Sequence, residues 1–106
     1  LVCQLALGAH LDHTLTRRGV ELLGRPLTYD VDIPYLFNFP EDFALKTAEM
    51  KENTQRITEA GLRLWGDAIL AYTSQFGTLF DSPEEMREKI HQYWSQKNGI
   101  GFWKFA

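Results

Sequence analysis

Residues 1–18, LVCQLALGAHLDHTLTRR, set the fold class. Leu1, Leu5, Gly8, Leu11 and Leu15 recur at steps of three and four, while Gln4, Asp12, Thr16 and Arg17 fall elsewhere on the wheel. That spacing predicts a helix from Leu1 to about Arg18. The next residues, GVELLGRPLTYDV, extend the helix to Leu23 with Gly24 as its stop, or form a hairpin around Gly24, Arg25 and Pro26. The helix is preferred, because a proline just past a glycine is the usual order of stop signals. The same reading then runs through the rest of the chain.

Pro34 and Pro40 push Ile33 and Phe39 away from helical backbone, so Tyr29 to Phe39 is expected to be an extended, aromatic-rich connector. Beyond Glu41, Phe43, Met50, Ile57, Leu64 and Ala71 sit at intervals of seven, a continuous helical stripe. Unbroken to Phe76, these ~36 residues would span about 54 Å, too long for a compact domain, so a break is expected near Glu52 to Thr54. The part from Leu62 to Tyr72 is apolar nearly all round and predicts a central helix. After Gly77, Ser82, Pro83 and Glu85 supply an N-cap, a first-turn proline and a capping box. Met86, Ile90, Tyr93 and Trp94 are the expected buried face of that last helix. The tail, IGFWKFA, shows no clear buried side. The fold expectation is therefore all-α: a compact bundle of three to five helices, one domain over residues 1–106 cut from a larger protein, with the 29–39 connector packed over a central helix.

Composition narrows the function classes. The 106 residues are 44% hydrophobic, 13% aromatic and 24% charged, which describes a folded globular chain. Eleven basic against fourteen acidic residues give a net charge of −3, so no nucleic-acid footprint is expected. No apolar run reaches the ~18 to 20 residues of a membrane span, and cytoplasm is the default location. The single Cys3 rules out an internal disulfide framework.

Chemistry-bearing patterns are sparse. Glu88 and His91 form a Glu-x-x-His pair, but the di-iron bundles that use this spacing need a second such motif, and the chain has none. His10, Asp12 and His13 make a dense polar cluster with groups able to exchange protons near neutral pH. A zinc site typically needs four ligands, and on a continuous helix Cys3 would lie two turns, about 10 Å along the axis, from His10 and farther still from His13, out of reach. No metal and no other cofactor is expected. Phosphate loops, nucleophile elbows and Cys-x-x-Cys are absent. Phe37 to Pro40, FNFP, resembles the Phe-x-Phe-Pro docking motif read by mitogen-activated kinases, although loop rings in a small domain more often serve its core.

These patterns favour a non-enzymatic module acting through protein contacts, its partner a separate protein or other domains of the same polypeptide. Tyr35, Phe37, Phe39, Phe102, Trp103 and Phe105 are the candidate contact residues, being of the types enriched at interface anchors. The alternative is an apolar small-molecule pocket between helices, lined by Trp65, Tyr72, Phe76, His91 and Trp94. A third reading, a helical metal-binding protein, requires His10, His13, Glu88 and His91 to converge.

Overall fold

The computed structural model describes residues 1–8 and 10–105. It corrects the all-α expectation: the chain is mixed α/β, with a four-stranded sheet and, among the described residues, six helices. In chain order these are β1 (Val2–Gln4), α1 (Leu11–Glu21), β2 (Thr28–Asp30), α2 (Tyr35–Asn38), α3 (Pro40–Thr47), β3 (Met50–Arg56), α4 (Glu59–Leu70), α5 (Thr73–Leu79), α6 (Pro83–Ser95) and β4 (Gly99–Phe105). The sheet order is β1-β2-β4-β3. β1 and β2 are parallel, with Cys3 opposite Tyr29, and β2 and β4 are antiparallel, with Tyr29 opposite Trp103. Parallel neighbours need a crossover, and α1 supplies it.

The chain divides into two compact units, residues 1–53 with 101–106, and residues 54–100. In the first, Cys3, Leu5, Leu7, Tyr29 and Met50 form the buried cluster. Val20, Leu27, Tyr35, Leu36, Phe43 and Trp103 pack against it, half-buried. Leu5 and Leu7 are wholly enclosed. Residues 1–18 are not one helix: the short strand β1 leads directly into the enclosed run Leu5–Leu7, and so short a continuous apolar run mimics a helix stripe. The i, i+4 leucines straddle two elements. Those on α1 and at its C-cap face away from the core: Leu11, Leu15 and Leu22 are 72%, 59% and 88% exposed. The opposite side of α1 carries Val20 against the core and Arg17 bonded to the Leu5 carbonyl. α1 ends at Glu21, followed by a turn through Gly24 at φ +64°, so the glycine stop holds and no hairpin forms there.

The 29–39 connector is likewise corrected. Tyr29 and Asp30 belong to β2, a cis peptide joins Ile33 to Pro34, and Tyr35–Asn38 is the one-turn helix α2. Tyr35, Leu36 and Phe37 are half-buried, with Tyr35 and Leu36 against the sheet core of their own unit. The long stripe from Phe43 to Ala71 is split among α3, β3 and α4, and Leu64 within it is 68% exposed. The expected break is a whole strand: β3 alternates buried or half-buried Met50, Glu52 and Thr54 with exposed Lys51, Asn53 and Gln55. The tail, too, is a strand, β4.

In the second unit α4 and α6 pack together around buried Leu62, Gly66, Met86, Ile90 and Trp94. Thr58 caps α4 by accepting the Gly61 N–H at 3.0 Å. Only Leu62 and Gly66 of α4 are buried, so it is not the all-round apolar centre of a bundle. The last helix matches its signals: Ser82 accepts the Glu85 N–H at 3.1 Å, Glu85 returns a bond from the Asp81 N–H, and Met86, Ile90 and Trp94 are buried. No described helix is long and apolar enough to cross a membrane.

Candidate functional site

The carboxyl ends of β1 and β2 are where the polar chemistry of the first unit gathers. Past Gln4 the chain leaves the regular ladder through Leu5 to Gly8, with Ala6 at φ +62° and Gly8 at φ +78°. A buried main chain outside a sheet must find other partners. Four charged side chains provide them. The Leu5 carbonyl accepts from Arg17 at 2.9 Å, and the Ala6 carbonyl accepts from Lys46. The Leu7 N–H donates to Asp32 at 2.9 Å, and the Gly8 N–H donates to Asp42 at 2.9 Å. These come from α1, α3 and the segment after β2. Charge-assisted bonds are the stronger kind, so this loop is held more firmly than an ordinary surface turn.

Asp32 is itself in the left-handed region, φ +58°, and is 8% exposed. Aspartate tolerates that backbone better than most residues, and the Asp32 N–H is tied down by Asp30 Oδ1 at 2.9 Å. One Asp32 oxygen, Oδ2, thus accepts the Leu7 N–H and also lies 3.9 Å from His13 Nδ1. That nitrogen is buried and has no hydrogen-bond partner among the described residues. The separation is longer than a hydrogen bond.

His13 stands in the first turn of α1 and His10 is its N-cap, exposed, with ring centroids 5.3 Å apart. The Tyr35 ring meets both edge-on, at 4.8 Å from His10 and 5.0 Å from His13. Phe39 lies 6.4 Å from His10. Phe39 also explains Gly8: a Cβ there would come within 2.8 Å of the Phe39 ring, besides the strain of its positive φ. The result is a shallow setting of two imidazoles, one backed by a buried carboxylate, beside two aromatic rings.

Charge states around this end follow burial. Desolvation pushes the Asp30 carboxyl above the usual range, against the lowering effect of the Asp32 N–H, and the nearby Asp32 charge adds to the rise. Desolvation likewise raises the Cys3 thiol, opposed by Arg17. Tyr29 is raised by burial first and then by Glu21, which accepts its hydroxyl proton at 3.1 Å.

Of the residues singled out from sequence, His10, His13, Tyr35 and Phe39 come together here. Trp103 lies half-buried against Phe43, ring centroids 5.4 Å apart, and Phe105 is 52% exposed with its ring edge-on to Tyr29. Phe37 and Phe102 are half-buried. In the second unit Trp94 is buried and donates its Nε1–H to the Ile57 carbonyl at 2.7 Å. Trp65 and Phe76 are half-buried, Tyr72 is 70% exposed, and Glu88 and His91 are exposed. Among the described residues no group of three or more histidine, cysteine or acidic side chains is placed to hold a metal ion. Asp32, Asp42, Arg17 and Lys46 were not nominated from sequence. Asp32 lies just past β2, and only the parallel pairing of β1 with β2 brings it to His13. No protein-family model matches the chain, and neither a curated protein nor a solved structure is significantly similar to it.

Proposed function

We propose that the carboxyl ends of β1 and β2 form an acid–base site that hydrolyses a small polar substrate. The observation that carries this reading is His13 Nδ1, buried, without a hydrogen-bond partner among the described residues and facing buried Asp32 at the ends of two parallel strands. In open parallel α/β sheets ligands bind outside the carboxyl ends of the strands, and β1 with β2 is one such parallel pair within a mixed sheet. Positive φ at Ala6 and Asp32 is the sort of local strain that collects at functional sites.

In this mechanism Asp32, fixed by the Leu7 N–H, orients His13 with Nδ1–H toward the carboxylate, leaving Nε2 as the base. His13 takes a proton from water as the water oxygen bonds to an electrophilic carbon, and Asp32 offsets the charge gained by the ring. His10, exposed at the entrance, gives a proton to the departing group as the old bond breaks. Tyr35 and Phe39 wall off bulk water on one side. Proton exchange with solvent restores both imidazoles.

Hydrolysis of a panel of aryl esters and N-acyl amides tests the reading. Activity is expected to fall by about 100-fold in His13→Asn and less steeply in Asp32→Asn, with circular dichroism unchanged. No hydrolysis above buffer, together with His13 ring NMR signals that ignore Asp32→Asn, would sink it.

A second reading, action through protein contacts, is favoured by the leucine face of α1. Leu11, Leu15 and Leu22 fall within ~40° of one another on the wheel and are all exposed. Sedimentation of the wild type beside Leu15→Glu tests it. Equal, monomeric behaviour of both would leave self-association without support.

A further inference from the structure

At the opposite end of β2 from the histidines lies a cleft of about 630 Å3, within the range of small-molecule sites. Arg25, Lys51 and Lys104 line it, with Glu21, Tyr29 and Phe105. The chain as a whole is acidic, net −3, so three cations around one opening run against its overall balance. Glu21 does not neutralise them. Its Oε1 is 3.3 Å from Arg17 Nε, and its Oε2 accepts the Tyr29 hydroxyl at 3.1 Å. Arg25, Lys51 and Lys104 make no ion pair among the described residues, whereas Arg17, Lys46, Arg87 and Lys89 each do.

The apolar side of the cleft is equally particular. Phe105 is 52% exposed at the mouth, its ring edge-on to Tyr29 at 6.1 Å. Tyr29 is buried beneath, with the Arg17 guanidinium 4.6 Å from its ring centroid. An aromatic face beside three unpaired cations matches a ligand that is planar and apolar at one end and multiply anionic at the other.

We propose that this cleft binds a small organic phosphate carrying an aromatic ring, the phosphate held by Arg25, Lys51 and Lys104 and the ring stacked on Phe105. The lysines come from neighbouring strands β4 and β3, and Arg25 from the turn before β2, so the cationic group is set by the sheet. This site is separate from the histidine cluster and does not depend on its hydrolytic role.

Isothermal titration of the intact chain with 1-naphthyl phosphate, 1-naphthol and inorganic phosphate, paired with amide NMR, tests the proposal. Naphthyl phosphate is expected to bind saturably, to shift the amides of Lys51, Lys104 and Phe105, and to bind more tightly than either half alone. Lys51→Gln with Lys104→Gln should weaken it by about tenfold or more, the loss expected for two charge-assisted contacts. Both lysines are exposed, so the fold is retained, as circular dichroism will show. Phe105→Ala should weaken naphthyl phosphate and leave inorganic phosphate unchanged. Naphthol binding as tightly as its phosphate, shifts confined to other residues, or no saturable binding would each overturn the proposal.

Discussion

Replacing Asp32 tests the backbone and the site together. In Asp32→Ala the Leu7 N–H, on a residue with no exposed surface, loses a charged acceptor, a cost of about 1.5–3 kcal/mol. The alanine Cβ must also sit at φ +58°, adding about 1 kcal/mol. The sum, about 3 kcal/mol, is a large share of the ~5–15 kcal/mol that holds a typical domain together. Asp32→Gly removes the acceptor without the φ strain, so it should cost about 1 kcal/mol less than alanine. Asp32→Asn retains an acceptor oxygen and tolerates the left-handed region, and should be the mildest, at about 1 kcal/mol. Urea unfolding followed by tryptophan fluorescence and circular dichroism reads the series. The order Asn, Gly, Ala in rising cost is required. An alanine variant within ~0.5 kcal/mol of wild type, or a glycine variant worse than alanine, would refute the account of how this turn is held.

Three further outcomes follow from the same physics. Asp30→Asn should stabilise the protein at neutral pH, because the folded chain raises this carboxyl and so disfavours its charge. The native state then binds the proton before the unfolded chain does, so the wild type recovers the difference as pH falls through the raised value toward the ordinary ~3.9; a gap that widens on acidification, in paired urea melts, would contradict this. Gly99→Ala should be severely destabilising, by about 2 kcal/mol or more, since its Cβ would collide with the Gln55 carbonyl on β3, main chain that cannot swing aside; thermal melting within a degree of wild type would count against it. Cys3, buried with its thiol raised by desolvation, should react with a disulfide reagent only as fast as the protein opens, and rapid labelling under native conditions would contradict its placement.

What the sequence revealed depended on whether an element's signals were local. The last helix was legible because Ser82, Pro83 and Glu85 act within one turn and Met86, Ile90 and Trp94 follow its period. Gly24 was legible as a stop for the same reason. β3 was hidden because Met50 is its one large apolar residue, and an edge strand of polar residues lacks the alternation that announces strands. β1 was hidden by the opposite fault: three residues long, it runs straight into the apolar Leu5, Ala6 and Leu7, and the leucines of α1 continued their spacing by coincidence. The site shared this fate. His10 and His13 stood out as a pair, but the carboxylate behind His13 lies nineteen residues on and reaches it only through a parallel pairing that an all-α reading excludes.

The Leu5–Gly8 segment carries a consequence for how such a chain varies. Its main chain is held by Arg17, Asp32, Asp42 and Lys46, none closer than nine residues, as well as by the burial of Leu5 and Leu7 and the freedom of Gly8. Conservative exchanges within it, such as Leu7→Met, should therefore leave its path intact, while a single exchange at a distant acid or base redirects it. The determinants of this loop are inherited from elsewhere in the chain. A mutational scan confined to the loop would register Gly8 and the enclosed leucines and miss the distant charges that hold its main chain.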